Sequence, residues 1–422
     1  MKDILIYLVL FIFGIMPAAL VLLFKFWFLP ANRRAFEAVK QQSKTWTICP
    51  HCGELVWLQT FRCSFCQTEN EVMPALVNGG EKIAEFKQCV NCRQPLPAVH
   101  FDGRERLTAV CPKCSQNIGS QAGIYQEIVI PVLGSSQTGK SAYLAALIYR
   151  LQQRFGSRLT FPFPGVADDV QENVKLFAQG VSPQKTQNTQ RSSFVADIQG
   201  NLPGTGIRLF FYDLAGELYN DERKMSELLF FDLMDETIIL VDPFTIPEIR
   251  SRYEQELRSR TGFDVGDGDF DQNVSRIKNG LVKYEYRNYE YEYRDSDKVT
   301  HPYMELGQKL SARCAVVITK TDAFELDALA GEQAIQNALL ENPHWNYEKA
   351  MHEVCLRQLE NWGLGNSLRN LQEIFREVRC FSVSSFGHMP ESGQFFVPQR
   401  VELPLNWLLA EAALTELAPE MV

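Results

Sequence analysis

Apolar residues along this chain follow two periods, and the change between them marks the elements of a folded domain. Glu127 to Leu133 is a nearly continuous apolar run that predicts a buried strand, whereas Ser141 to Phe155 repeats apolar residues at the helical period. A final amphipathic helix is predicted at Pro404 to Leu417. Short runs of β-branched and aromatic residues predict later strands at Ser193–Asp197, Ile207–Asp213, Thr237–Asp242, Ala315–Thr319 and Arg379–Ser382. This alternation predicts an α/β domain, with a mostly parallel sheet and helices on both faces.

The N-terminus has a different pattern. Ile4 to Phe24 is an uncharged apolar run of 21 residues, which as a helix is long enough to cross the roughly 30 Å hydrocarbon core of a bilayer. Trp27 and Phe28 follow it as an aromatic belt, and basic residues are concentrated after it. We therefore expect a transmembrane helix over residues 4–28, with the N-terminus outside and the later domains in the cytoplasm. The alternative, a cleaved signal peptide, has a shorter apolar run and its basic charge on the other side.

Composition narrows the class of protein. With 422 residues and 45% hydrophobic content, the chain can bury one large core with additions, or two to three smaller ones. A net charge of -9 argues against general affinity for nucleic acid or anionic lipid, because both reward a surplus of Lys and Arg. Eight of the 11 cysteines form four Cys-x-x-Cys pairs, which suits metal better than a disulfide framework and indicates a reducing compartment.

The four pairs predict two tandem zinc ribbons, one over residues 47–70 and the other over residues 87–120, each with four thiolates around one ion. Few core residues lie in either segment, so metal binding is expected to supply the folding energy. Redox or disulfide use of the same pairs is the alternative. The first site takes Cys49, Cys52, Cys63 and Cys66, and the second takes Cys89, Cys92, Cys111 and Cys114.

The ribbons are expected to bind a protein or to act as a spacer. His51 lies between two ligands of a site that is already full, so it is predicted not to bind metal. Basic and acidic residues are equal in number between Thr45 and Tyr125, so the basic stripe of a nucleic-acid interface is missing.

A phosphate-binding loop is predicted between the first strand and the first helix. The segment matches G-x-x-x-x-G-K-[ST], in which backbone N–H groups surround a polyphosphate, the lysine neutralises its terminal phosphates and the serine binds magnesium. Its residues are Gly134, Ser135, Ser136, Gln137, Thr138, Gly139, Lys140 and Ser141, with Ala142 following.

Three later segments favour GTP over ATP. Asp213-Leu-Ala-Gly216 closes a strand and matches the D-x-x-G of GTPases, where the aspartate holds magnesium through water and the glycine N–H meets the γ-phosphate. Thr319-Lys320-Thr321-Asp322 follows another strand, so that the carboxylate can accept guanine N1–H and N2–H while the lysine stem covers the base. Ser382-Val-Ser384-Ser385 is a candidate for a backbone N–H to guanine O6, which we assign to Ser384.

Together these segments resemble the GTPase branch of the P-loop NTPases. Tyr212 to Glu217 and Val317 to Asp322 look like the bacterial double-GTPase family, which is associated with conflict systems. The resemblance covers roughly residues 125–420 and implies a Ras-like domain with an insertion at about residues 244–313. It also implies binding of GTP and GDP, dependence on magnesium and a nucleotide-driven switch.

Two departures from the GTPase pattern affect the expected activity. Thr319 stands where many GTPases have Asn, so a side-chain amide that braces the phosphate loop is missing and weaker affinity is expected. Glu217 replaces a catalytic Gln, and its carboxylate can orient water but also repels the γ-phosphate. We expect slow intrinsic hydrolysis.

Other assignments are less specific. For the first switch, Thr189 fits best as the threonine that ligates magnesium and senses the γ-phosphate, and Thr186 is close to it. Asp242 resembles an ATPase-type aspartate, but Pro243 follows it and Asp213 already has the magnesium role, so we interpret Asp242 as structural. An unidentified effector is expected to dock on the ribbons or on the insertion. The alternatives are a scaffold with a catalytically weak nucleotide site, or an ATPase.

Overall fold

The computed structural model describes the cysteine-rich segment and most of the α/β domain. The described residues are 46–52, 54–57, 60–71, 87–96, 107–122, 125–135, 137–163, 168–183, 192–201, 205–213, 234–259, 270–282, 309–388 and 394–411. The predicted membrane helix at residues 4–28 lies outside these ranges. Among the described residues, no helix combines the length and apolar character needed to cross a bilayer.

The cysteine-rich segment forms one module of short hairpins. Its central sheet has the order β4-β3-β7-β8, and β1 with β2 and β5 with β6 form separate antiparallel pairs. Because β3 pairs with β7, strands from the two predicted ribbon segments share one sheet. The strands are β1 Trp46–Ile48, β2 Leu55–Trp57, β3 Thr60–Arg62, β4 Glu69–Glu71, β5 Lys87–Gln88, β6 Pro95–Leu96, β7 Thr108–Val110 and β8 Asn117–Gly119.

The α/β domain is built on a seven-stranded, mostly parallel sheet of order β10-β11-β12-β9-β13-β14-β15, as the alternation of apolar runs predicts. The five strands from β12 to β15 in that order run parallel, and β10 and β11 add antiparallel pairs at one edge. The strands are β9 Gln126–Leu133, β10 Leu159–Thr160, β11 Ser192–Gln199, β12 Gly206–Asp213, β13 Glu236–Val241, β14 Leu310–Ile318 and β15 Phe375–Ser382.

The described helices of this domain begin with α1, which starts at Lys140, within the predicted phosphate-loop motif. β14 begins at Leu310, three residues before the approximate end predicted for the insertion. The predicted last helix, Pro404 to Leu417, is observed as Leu403–Leu409, and it ends in a turn at residues 410–411, earlier than predicted. The helices are α1 Lys140–Phe155, α2 Asp168–Ala178, α3 Pro247–Arg252, α4 Glu254–Ser259, α5 Phe270–Val282, α6 Leu326–Ala330, α7 Glu332–Glu341, α8 Tyr347–Asn361, α9 Gly365–Ile374 and α10 Leu403–Leu409.

The cysteine module covers part of one face of this sheet, where further helices were expected. Val129, Val195 and Phe210 are neighbours across three strands, and Ile48 of β1 packs on them together with Phe163. Alternate residues of β9 face the opposite side and join the main core with α1. These strands carry apolar residues on both faces, which explains why both faces are covered.

Candidate nucleotide site and metal centres

The phosphate loop connects β9 to α1 at the carboxyl edge of the parallel strands. A Cβ atom at Gly134 would lie 2.9 Å from the Thr138 hydroxyl oxygen, so only glycine fits there. Gln137 and Gly139 have φ angles of 63° and 92°, which turn the chain into the compact loop that a row of N–H donors requires. The backbone thus has the form that the motif predicts. Ser136, the third residue of the motif, lies outside the described residues.

Lys140, the first residue of α1, points its ammonium back into this loop. Its Nζ donates to the carbonyls of Gly134 at 2.7 Å and of Ser135 at 2.9 Å, and the side chain is buried. A buried cation inside a ring of backbone groups is suited to neutralise a polyphosphate. Ser141 and Ala142 continue the first turn of α1, partly buried beside the loop.

Thr319, at the end of β14, braces the phosphate loop. Its hydroxyl lies 3.1 Å from the Thr138 carbonyl and 3.2 Å from the Val241 carbonyl, and the side chain is buried. The sequence suggested that the brace was lost when threonine replaced asparagine. Instead the shorter hydroxyl group reaches the loop, because β13 and β14 end directly beside it.

Lys320 also reaches from β14 to the phosphate loop. Its Nζ donates to the Gln137 carbonyl at 3.3 Å and to Asp242 Oδ2 at 2.6 Å. Asp242 is buried, and its Oδ1 accepts the Phe244 N–H at 3.0 Å. Asp242 is thus neutralised by a lysine and caps a 3₁₀ turn, which agrees with the structural role predicted for it.

Asp322 and Ser384 meet between the ends of β14 and β15. Burial raises the pKa of Asp322, while the Ser384 hydroxyl, His388 and Arg400 act in the opposite direction. The Ser384 N–H donates to the Gln399 carbonyl at 3.1 Å, so it is not the donor that we assigned to guanine O6. Ser384 instead contacts Asp322 through its hydroxyl.

Arg400 is a residue of this region that the motifs did not reveal. It lies in a segment that pairs with the end of β15 through an isolated bridge between Ser384 and Gln399. Its guanidinium donates to groups of three different elements, namely the Ser382 carbonyl, the Thr321 hydroxyl and the Glu332 carboxylate. It belongs to no short motif, so only the fold brings it to this place.

The predicted magnesium and switch residues are only partly described. β12 ends at Asp213, whose backbone pairs with Val132 of β9, so the strand leads to the start of the phosphate loop. Thr186, Thr189, Gly216 and Glu217 lie outside the described residues. Their assignments stay predictions from sequence.

A parallel sheet with a phosphate loop after one strand and a Thr-Lys-x-Asp segment after another resembles the arrangement of P-loop GTPases. Residues 131–231 match the family model described as Double-GTPase 1, which is 101 of the 422 residues. The match includes the phosphate loop, α1 and the segment from Asp213 to Gly216, and it confirms the resemblance inferred from sequence. It indicates a GTP-binding protein. No curated protein sequence matches the chain.

Two groups of four cysteines fit two zinc ions. Within each group the ligand atoms lie within 4.8 Å of one another, and neighbouring Sγ atoms are 3.5–3.8 Å apart. Sulfurs about 2.3 Å from a tetrahedral zinc ion are separated by about 3.8 Å, whereas a disulfide requires about 2.05 Å. His51 is in neither group and contacts the Asn117 carbonyl at 2.9 Å.

The four pairs combine in a nested order that differs from the predicted sequential order. The outer site joins Cys49 and Cys52 to Cys111 and Cys114, and the inner site joins Cys63 and Cys66 to Cys89 and Cys92. The antiparallel pairing of β3 with β7 explains this exchange, since it brings the last pair back beside the first. The presence of two four-cysteine sites is thus confirmed, with a different partner for each pair.

Each Cys-x-x-Cys pair has the same turn. The N–H of the first cysteine donates to the carbonyl five residues later, at 2.9 Å for Cys49, 3.0 Å for Cys63, 2.8 Å for Cys89 and 2.9 Å for Cys111. Burial raises the pKa of Cys49, so its thiolate needs a cation beside it. The Thr68 hydroxyl lowers the pKa of Cys66 to about 6. This chemistry suits a thiolate-bound metal.

Proposed function

We propose that the chain is a membrane-anchored GTP-binding protein that hydrolyses GTP slowly with magnesium and acts as a switch for a partner protein. The observation that carries the guanine assignment is the contact of Thr319 and Lys320 with the carbonyls of Thr138 and Gln137. These contacts join the segment that contains Asp322 to the phosphate loop. One nucleotide can therefore occupy both.

Guanine selectivity is tested by the binding of fluorescent GTP and ATP to the full-length chain in detergent. Asp322→Asn removes the charge that accepts N1–H and N2–H, so we expect GTP affinity to fall by roughly 10²-fold, as loss of hydrogen bonds to a charged group implies. ATP affinity should change little. Equal affinity of the wild type for GTP and ATP, or an unchanged Asp322→Asn variant, would rule out the guanine assignment.

Hydrolysis requires an attack by water on the γ-phosphorus and departure of the β-phosphate oxygen. Lys140 neutralises the phosphates, and Ser141, Thr189 and Asp213 would hold the magnesium ion, which offsets phosphate charge when bound. The Gly216 N–H meets the γ-phosphate. Glu217 orients the water, but its negative charge beside the γ-phosphate keeps turnover slow.

Phosphate release over hours tests this assignment. We expect release from GTP by the wild type and none above background by Lys140→Ala. Glu217→Gln keeps the hydrogen-bonding shape of the side chain and removes its charge, so a faster rate is expected. Release that is equal in wild type and Lys140→Ala would instead favour a scaffold whose nucleotide is only structural.

The membrane assignment depends on the apolar run of residues 4–24 and on the basic residues after it. We place the N-terminus outside and the zinc module and GTPase domain in the cytoplasm. In sealed spheroplasts, an N-terminal epitope should be digested by added protease while the folded domains stay intact. Protection of the epitope would contradict this orientation.

Two surfaces are candidates for the partner. In the insertion, Tyr253 stacks on Phe324 with ring centroids 4.7 Å apart, and Phe324 lies two residues after Asp322. This contact gives the insertion a route to sense an occupied guanine site. On the inner zinc site, Phe65 and Val90 are 71% and 68% exposed. Crosslinking with a photoreactive residue at position 65 or 256, with GTP or GDP present, would tell which surface a partner covers.

A further inference from the structure

We propose that Arg400 is a positioning residue for guanine selectivity: it fixes the two loops that read the base relative to each other. This inference rests on the proposed function. Arg400 has a φ angle of 61°, which L residues rarely adopt, and its side chain is only 8% exposed. Such a backbone conformation persists only where the surroundings hold it.

The guanidinium joins the end of β15 to the loop after β14. Its Nε donates to the Ser382 carbonyl at 3.0 Å, and its Nη2 lies 3.3 Å from the Thr321 hydroxyl. The Thr321 hydroxyl in turn lies 3.1 Å from the Val383 carbonyl. One planar group thus spans both loops.

These loops hold the groups that face the base in the proposed site. Asp322 follows Thr321 directly, and Ser384, whose hydroxyl contacts Asp322, lies two residues after Ser382. The N1–H and N2–H groups of guanine lie on one rigid edge, so the Asp322 carboxylate that accepts them must keep a fixed position. A displacement of Thr321 or Ser382 would shift these groups first, because Thr319 and Lys320 hold the phosphate loop through separate contacts.

Two other roles for Arg400 fit the contacts less well. Its ion pair with Glu332, 2.9 Å long, involves a carboxylate side chain that is 41% exposed, and pairs at such exposure contribute little to stability. An arginine that acts on the γ-phosphate would need to reach the phosphate loop. The donors of Arg400 instead contact the Ser382 carbonyl and the Thr321 hydroxyl, at the carboxyl ends of β15 and β14. In the proposed site the base lies there.

The experiment compares Arg400→Lys, Arg400→Met and Glu332→Gln in the full-length chain. Arg400→Lys keeps the charge but loses the planar fork, and Arg400→Met loses both. Glu332→Gln removes the charge that pairs with Arg400 and keeps an amide oxygen that can still accept hydrogen bonds from Tyr347 or Gln336. Affinities are measured for GTP, ITP and ATP. ITP lacks the 2-amino group that donates a hydrogen bond to Asp322 in the proposed site. Thermal unfolding and zinc content control for folding.

We expect both Arg400 variants to bind GTP about tenfold more weakly, with ATP affinity unchanged within about twofold. The GTP to ITP ratio should fall with them, and the rate at saturating GTP should stay at the wild-type value. Glu332→Gln should keep wild-type selectivity. If GTP, ITP and ATP weaken together, or if the GTP to ATP ratio is unchanged, the inference is wrong and Arg400 is only structural. A wild type that binds GTP and ATP equally would refute the proposed function itself.

Discussion

Arg208 of β12 and Asp197 of β11 form a two-pronged ion pair inside the protein, with Nε to Oδ1 and Nη2 to Oδ2 distances of 2.8 Å. Arg208 is 1% exposed, and its Nη1 also donates to the Ile118 carbonyl of the zinc module at 3.1 Å. The lack of a side chain at Gly119 leaves room for this contact, because a Cβ atom at Gly119 would crowd Nη2 of Arg208 at 3.2 Å. The zinc module is thus fixed to the strand that ends at Asp213.

Arg208→Met should destabilise the protein strongly. It leaves the Asp197 carboxylate buried without its partner, which costs on the order of 3–5 kcal/mol. Urea unfolding of the full-length chain in detergent measures the loss. The double variant Arg208→Met with Asp197→Leu should recover much of it, since Asp197 then no longer leaves a buried carboxylate without its partner.

A matched control is the exposed pair of Arg150 and Glu402, where Arg150 is 43% exposed. Arg150→Met should cost below about 1 kcal/mol. If Arg208→Met cost no more than this control, the buried pair would not be holding the zinc module on the sheet.

The nested zinc sites predict which cysteine variants lose the same ion. Cys49→Ser with Cys111→Ser removes ligands of one site only, so the purified chain should keep one zinc ion. Cys49→Ser with Cys63→Ser touches both sites and should lose both ions. Zinc per chain, measured by elemental analysis, separates the two arrangements because sequential pairing predicts the opposite result for each double variant.

The local elements of the domain were predictable because their patterns are local. The strand before Gly134 and the helix after it were placed to within one residue, since the apolar period changes at the loop. β14 was predicted too short because Arg313 interrupts its apolar run. Arg313 is in fact buried and paired with Glu236 at 3.1 Å, so a polar residue belongs to the strand interior.

Features that depend on distant contacts were not predictable from motifs. Each Cys-x-x-Cys pair was found by its spacing, but its partner is decided by the pairing of β3 with β7. Arg400 lies about 80 residues from Thr321, its partner in the guanine loops, and no motif links the two. The predicted loss of the Thr319 brace was wrong for a related reason. The motif shows only which side chain stands at this position, whereas its distance to the phosphate loop depends on where β13 and β14 end.

Thr319→Val tests the brace on the phosphate loop. Valine has the shape of threonine without the hydroxyl, so the Thr138 carbonyl loses its donor at a cost of about 1–3 kcal/mol. Because the phosphate loop serves any nucleotide, GTP and ATP affinities should fall together. This differs from the selective loss expected for Arg400 variants.

Thr319→Ser keeps the hydroxyl and serves as the control, with affinities near those of the wild type. Binding of both nucleotides is measured by the same fluorescence titration for all variants. If Thr319→Val lowered GTP affinity alone, the residue would act on the base loop and not on the phosphate loop.

GTP affinity should weaken in acid because of Asp322. The ionised carboxylate accepts two guanine donors, whereas the protonated form can no longer accept both. Burial raises the pKa of Asp322, so protonation begins at a higher pH than for an ordinary aspartate, and GTP binding releases this proton. Below the raised pKa, affinity should fall by up to about tenfold per pH unit.

The same shift has a definite sign for stability. A raised pKa means that the folded state holds the Asp322 proton more tightly than the unfolded state, so ionising the group destabilises the fold as the pH rises through that pKa. Bound GTP reverses this effect by giving the carboxylate two donors. Unfolding and GTP affinity are each measured as a function of pH, for the wild type and for Asp322→Asn as the control. The variant should lose the acid dependence of GTP affinity. An acid dependence equal in wild type and Asp322→Asn would assign the titration to another group.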